Sequence, residues 1–114
     1  MSKNMLVAED SLVMQKSIGI TFAHSEFQLN YASTGADALA KARQAAPDIV
    51  IADANMSDQN GYDLCREIKR QPATASTPVL LLLGAHTPFD EARGKASGVD
   101  GYMVKPFETQ ALIS

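Results

Sequence analysis

Pro47-Asp48-Ile49-Val50-Ile51-Ala52-Asp53-Ala54-Asn55-Met56 holds a short apolar run that stops at a carboxylate. Two other stretches repeat the arrangement. Met5-Leu6-Val7-Ala8 runs into Glu9 and Asp10, and Tyr102-Met103-Val104 runs into Lys105 and Pro106. If the three runs are parallel strands of one sheet, their terminal charges gather at its carboxyl edge, where open α/β sheets bind ligands. Three carboxylates and one amine in a single crevice suit a divalent cation and a phosphoryl group.

Outward from these runs, strand-like and helix-like patterns alternate. Strands are predicted over 4–8, 27–31, 48–52, 79–83 and 101–104. Met14, Ile18 and Phe22 recur at four-residue intervals and define the face of a first helix. Thr34 is placed to cap a second, in which Leu39 and Ala42 face inward, Asp37 and Lys41 pair four residues apart, and Pro47 marks the stop. A third is predicted over 61–70, with Leu64, Cys65 and Ile68 inward. A fourth, near 89–97, is weakened by Gly94. A fifth begins at Phe107, and the chain stops within it, so an output region is expected beyond. This alternation implies a parallel sheet covered by helices on both faces. Right-handed crossovers then favour strand order 2-1-3-4-5 and bring the ends of strands one, three and five around one crevice.

The 114 residues fit one domain with one ordinary core. A 46% hydrophobic composition is that of a globular protein, and no stretch approaches the run of about 20 apolar residues that spans a bilayer. The first ten residues lack the features of a signal peptide, and the lone Cys65 cannot form an intrachain disulfide. A cytoplasmic location away from membranes is therefore expected. A net charge of −3 with scattered basic residues argues against direct nucleic-acid binding.

Two carboxylates about 4 Å apart repel by roughly 4 kcal/mol at an effective dielectric of 20, so three together need compensation. Magnesium prefers oxygen ligands and is commonly held by one or two carboxylates with phosphate oxygens. Asp10 and Asp53 are expected to bind it directly, Glu9 directly or through water, and Asn55 through its backbone carbonyl. An Asp53 oxygen then attacks the phosphorus of an activated donor, and Lys105 pairs with a phosphoryl oxygen as a point charge. Pro106 fixes the peptide bond that aims this amine.

With these residues in place, the chain resembles the receiver domain of two-component response regulators over its whole length. The resemblance rests on LVAEDS at 6–11, PDIVIADANM at 47–56, NGYDLCREIK at 60–69, TPVLLLL at 77–83 and GVDGYMVKPF at 98–107. It implies a flavodoxin-like (βα)5 fold and a single receiver domain over 1–114. It further implies that a histidine kinase phosphorylates Asp53 with Mg2+ at Glu9 and Asp10, that Lys105 senses the phosphoryl group, and that Tyr102 is the aromatic that switches rotamer. Gly61 matches the turn glycine after the phosphorylation loop, where Asn60-Gly61 is expected to supply a left-handed backbone position. Such a module is a signalling domain rather than a conventional enzyme. It meets an effector, and admits a homodimer, through the face of its fourth helix, fifth strand and fifth helix. The stretch from Leu80 to Gln110 is similar to a subgroup of receivers from delta-proteobacterial multidomain regulators.

Two departures from the family pattern bear on the switch. The hydroxyl residue usual at the end of strand four is replaced by Leu83, followed by Gly84 and Ala85, with His86 and Thr87 just downstream. Ser57 stands where the phosphorylation loop usually carries proline. The second loosens the loop and leaves the chemistry intact; Leu83 keeps open the alternative of a pseudo-receiver, binding its partner independently of phosphorylation. Enzymes of related folds fit less well. Glu9-Asp10-Ser11 is the wrong charge for a flavin phosphate loop, Asn55 replaces the second aspartate of a dehalogenase-type phosphatase, and no P-loop motif is present. His24 is expected to be an exposed residue rather than a ligand, and Cys65 a small core hydrophobe.

Overall fold

Four helices begin at a polar side chain that accepts a backbone N–H three residues on. Ser11 accepts from Met14 (3.2 Å), Thr34 from Asp37 (3.0 Å), Asn60 from Asp63 (2.8 Å) and Asp90 from Arg93 (3.0 Å). Each such cap stabilises its helix by about 1 kcal/mol. The computed structural model describes residues 3–56, 58–84 and 88–104. In chain order these form β1 (Lys3–Ala8), α1 (Leu12–Thr21), β2 (Phe27–Ala32), α2 (Gly35–Gln44), β3 (Ile49–Asp53), α3 (Gly61–Arg70), β4 (Val79–Leu83), α4 (Glu91–Ser97) and β5 (Gly101–Val104). A short 3-10 turn at Pro72–Thr74 follows α3.

The five strands are parallel in the order β2-β1-β3-β4-β5, as expected from the sequence. Side chains alternate across this sheet with the period of two that a pleated strand imposes. Leu6, Ala8, Val50, Ala52, Leu81 and Leu83 enter one core with Ala38 and Ala42 of α2 and Leu64, Cys65 and Ile68 of α3. Met5, Val7, Ile51 and Leu82 enter the other with Ile18 of α1, against which Met14 and Phe22 pack. The expected inward faces of α1, α2 and α3 are therefore present. The Asp37–Lys41 pair also forms, at 3.3 Å.

The differences lie at element ends. Asp53 is the last residue of β3 rather than the residue after it, because Val50 to Asp53 stay in register with Val79 to Leu82. The fourth helix begins at Glu91, with Asp90 as its cap, so Phe89 precedes it. The 3-10 turn was not expected from sequence. Thr74 is wholly buried there and donates its hydroxyl to the Ile68 carbonyl at 2.7 Å, closing the end of α3. The helix expected from Phe107 lies outside the described residues.

Candidate functional site at the carboxyl edge of the sheet

Register alone brings the first acids together. Ala8 pairs with Ala52 across β1 and β3, so Glu9 and Asp53 are the next residues on neighbouring strands. Ligand oxygens of Glu9, Asp10 and Asp53 all lie within 4.8 Å of one another. Glu9 is 0% and Asp53 4% exposed, whereas Asp10 is open to solvent. At such separations each pair of ionised carboxylates repels by about 3 to 4 kcal/mol at an effective dielectric of 20. Burying two of the three adds a desolvation cost that a nearby cation offsets. This all-oxygen donor set, partly open on the Asp10 side, fits a hard divalent ion that keeps some of its water.

The surrounding backbone fixes these oxygens. Glu9 continues the strand ladder by donating its N–H to the Ala32 carbonyl at 2.9 Å, and its Oε2 accepts the Ser11 N–H at 3.1 Å. Gln15, one turn into α1, donates its amide to the Glu9 carbonyl at 2.7 Å. Asp53 Oδ1 accepts the Asn55 N–H at 3.0 Å, which places Asn55 beside the carboxylate whose metal it was expected to share. Asn55 also forms an antiparallel bridge with Asn60, folding the loop back onto the end of β3.

Gly61 closes that loop for a different reason from the one expected. Asn60 has φ −84° and ψ 161°, an extended cap conformation, and among the described residues the only glycine with positive φ is Gly98. The absent side chain is what matters. A Cβ on Gly61 would lie 2.5 Å from the Asp53 carbonyl oxygen and 2.9 Å from Leu81 Cδ2. Glycine lets α3 start directly against the strand that carries Asp53, and its N–H donates to the Ala54 carbonyl at 3.0 Å.

Leu83 ends β4 opposite Val104 and is buried, with Gly84 half-buried after it. Tyr102 is 51% exposed and directed onto Phe89, the two rings stacked at 4.4 Å and 13°. Phe89 also stacks on Tyr62 of α3 at 6.1 Å, and the Tyr62 hydroxyl accepts the Asp90 N–H at 3.0 Å. Sequence reading missed Phe89, which it placed inside the fourth helix, and missed Gln15, a polar residue on an otherwise unremarked turn. It also missed Asp58, whose oxygens accept the Gly35 and Ala36 N–H groups at 2.9 and 3.1 Å and hold the loop after β3 to the start of α2. Lys105, Pro106, Ala85, His86, Thr87 and Ser57 lie outside the described residues. His24 is exposed beyond the end of α1 and 0% exposed Cys65 is a core residue, as expected.

Comparison with known proteins converges on one family. A family model described as the response regulator receiver domain matches residues 5–114. Protein PilG of Pseudomonas aeruginosa is 33% identical over 109 residues, covering 96% of this chain and 81% of PilG. The response regulator ArlR of Staphylococcus aureus is 28% identical, and this chain spans about half (49%) of its length. Among solved structures, the Vibrio cholerae chemotaxis protein CheY4 superposes with a TM-score of 0.87 at 30% identity, over 99% of this chain and 94% of CheY4.

Proposed function

The chain belongs to the response regulator receiver domain family, the phosphoacceptor modules of two-component signalling, and from that premise we propose that Asp53 is its phosphoacceptor. The observation that carries this reading is the convergence of Glu9, Asp10 and Asp53 within 4.8 Å at the carboxyl ends of β1 and β3. Magnesium is the cofactor, held by Asp10 and Asp53, by Glu9 directly or through water, and by the Asn55 carbonyl. When bound it neutralises the acids and screens the incoming phosphoryl oxygens.

The residues do the rest. Asn55 orients the Asp53 carboxylate through its N–H, and Gly61 leaves the strand end undistorted. An Asp53 oxygen forms the new bond to phosphorus as the bond to the donor's leaving group breaks, and that group departs with the electron pair. Lys105, the residue after Val104 at the end of β5, supplies the positive charge that pairs with a phosphoryl oxygen, and Pro106 constrains its backbone. Gly84 and Ala85 contribute the loop that closes on the phosphoryl group in place of the hydroxyl that Leu83 lacks. Tyr102 carries the response to the face of α4, β5 and the segment after Lys105.

The domain fills residues 1–114 as one unit and acts as a signalling module rather than a conventional enzyme. It works in the cytoplasm, receives its phosphoryl group from a histidine kinase, and passes the change to an effector or to a second copy through that face. No helix among the described residues is long and apolar enough to cross a membrane. The assembled acids favour this reading over a module indifferent to phosphate, which has no use for two buried carboxylates side by side.

The test is the site of labelling. Incubation with acetyl phosphate and Mg2+, reduction of the acyl phosphate by borohydride and peptide mass spectrometry are expected to mark Asp53. The mark is expected to vanish in Asp53→Asn. Labelling at another carboxylate, or at the wild-type level in Asp53→Asn, overturns the assignment.

A further inference from the structure

Helices α3 and α4 face each other along their length, and their two ends are built differently. Near their amino-terminal ends the interface is complementary: Arg93 of α4 pairs with Asp63 of α3 at 3.8 Å and lies over the Tyr62 ring at 5.2 Å. Toward the carboxyl ends, base faces base. Arg66, Lys69 and Arg70 of α3 and Lys95 of α4 line a groove of about 510 Å³, floored by Ser97 and Gly98. Four of the chain's 10 basic residues meet there in a domain of net charge −3, so the groove is a local reversal of the molecule's sign.

Only one of these cations is committed. Lys69 pairs with Asp100 at 2.8 Å and donates to the Thr77 carbonyl at 2.7 Å. Arg66, Arg70 and Lys95 make no ion pair among the described residues. A cation in the last turn of a helix offsets the helix dipole, which accounts for Arg70 and Lys95 one at a time. It does not account for setting them across a shared groove, where like charges raise one another's energy. Arg70 and Lys95 are exposed and Arg66 is half-buried, so this surplus of positive charge faces solvent, where a partner can reach it.

We propose that the α3–α4 groove is a docking site for a carboxylate-rich peptide segment of a partner protein, whose acidic side chains pair with Arg66, Arg70 and Lys95. Arg66 and Arg70 are one helical turn apart, about 6 Å along α3, so the charges form a line rather than converge on a single small anion. Three uncommitted cations along one short line are too few for the clustered neutralisation that a nucleic-acid backbone requires. The groove needs nothing from Asp53 or its metal and is independent of the phosphoacceptor reading.

The probe is a fluorescein-labelled octaglutamate peptide, read by anisotropy at low salt, with amide shifts to locate it. The wild type is expected to bind with shifts confined to 66–70 and 95–98, and to weaken steeply toward about 0.15 M salt, where surface charges are screened. Arg66→Glu with Arg70→Glu is expected to bind at least tenfold more weakly. Lys3→Glu with Lys16→Glu, the same change in net charge placed elsewhere, is expected to bind like the wild type apart from the general charge effect. Arg66→Gln with Arg70→Gln, expected to weaken binding several-fold, serves if the reversed pair unfolds. Equal weakening by the two double reversals, no binding by the wild type, or tighter binding of inorganic phosphate or a single-stranded RNA than of the peptide overturns the proposal.

Discussion

Gly61 is where a missing methyl group decides the chemistry. Its Cβ position falls 2.5 Å from a backbone oxygen of Asp53, which unlike the end of a flexible side chain cannot step aside. Gly61→Ala is therefore expected to cost about 1 to 3 kcal/mol of stability, the usual range for overpacking, and to move the Asp53 carboxylate. Urea unfolding and the rate of labelling by acetyl phosphate check the two halves, and an unchanged midpoint would refute the steric argument. Asp10, the exposed member of the cluster, offers the cleanest test of the metal. Asp10→Asn keeps the side chain's shape while removing one charge, and calorimetry is expected to show Mg2+ affinity at least tenfold lower. Cys65 illustrates the opposite case. Burial pushes its thiol up to about 11, and Sγ donates to the Ser97 carbonyl at 3.3 Å, so it is an inert core residue. Alkylation of the native protein near neutral pH is expected to be far slower than in urea, where the thiol is exposed.

Helix α4 is the element most open to change. It has seven residues, far short of the roughly 12 to 15 that make an isolated helix even marginal, and buries only Gly94 and Ser97. Phe89 anchors its start, filling the notch that Gly94 leaves and stacking between Tyr62 and Tyr102. The outward ring of Tyr102 is thus held by a partner, and an aromatic pair of this kind contributes about 0.5 to 1.5 kcal/mol beyond area burial. Phe89→Ala is expected to free the Tyr102 ring, seen as averaged ring resonances, and to speed hydrogen exchange in α4 before that in β3. A Tyr102 ring as ordered in Phe89→Ala as in the wild type would show that the stack does not restrain it. Periodicity made α1, α2 and α3 legible, and Thr34 announced its cap, because local spacing and local hydrogen bonds decide them. It could not separate Phe89 from α4, because what removes that residue from the helix is a tertiary stack with rings on α3 and β5.

For the whole molecule, the parallel order of the sheet and the meeting of Glu9, Asp10 and Asp53 were readable from three apolar runs ending in charge. Crossover handedness leaves few other ways to arrange them. The role of Gly61 was not readable, since the same glycine serves a left-handed turn or a close approach and only the packing of α3 on β3 distinguishes them. Long-range carboxylate contacts also set the acid sensitivity of the fold. The Gly35 N–H, with that of Ala36, holds the Asp58 carboxyl below its usual range. Burial pushes Asp100 up, but hydrogen bonds from Lys69 and the Val79 N–H outweigh it and leave it lowered. A folded-state value below the unfolded one stabilises the fold above the ordinary carboxylate range, and that contribution is lost as pH falls through the folded value. Urea midpoints are expected to decline between about pH 5 and 2, less steeply in Asp58→Asn and Asp100→Asn; identical slopes would exclude these two groups. The central claim, that Asp53 accepts a phosphoryl group beside a magnesium ion held by its acidic neighbours, is tested most directly by fluorine NMR of the beryllofluoride complex. The account predicts protein-bound fluoride resonances for the wild type with Mg2+, lost on chelation of the metal and absent in Asp53→Asn. Bound resonances that persist without Mg2+, or in Asp53→Asn, would contradict it.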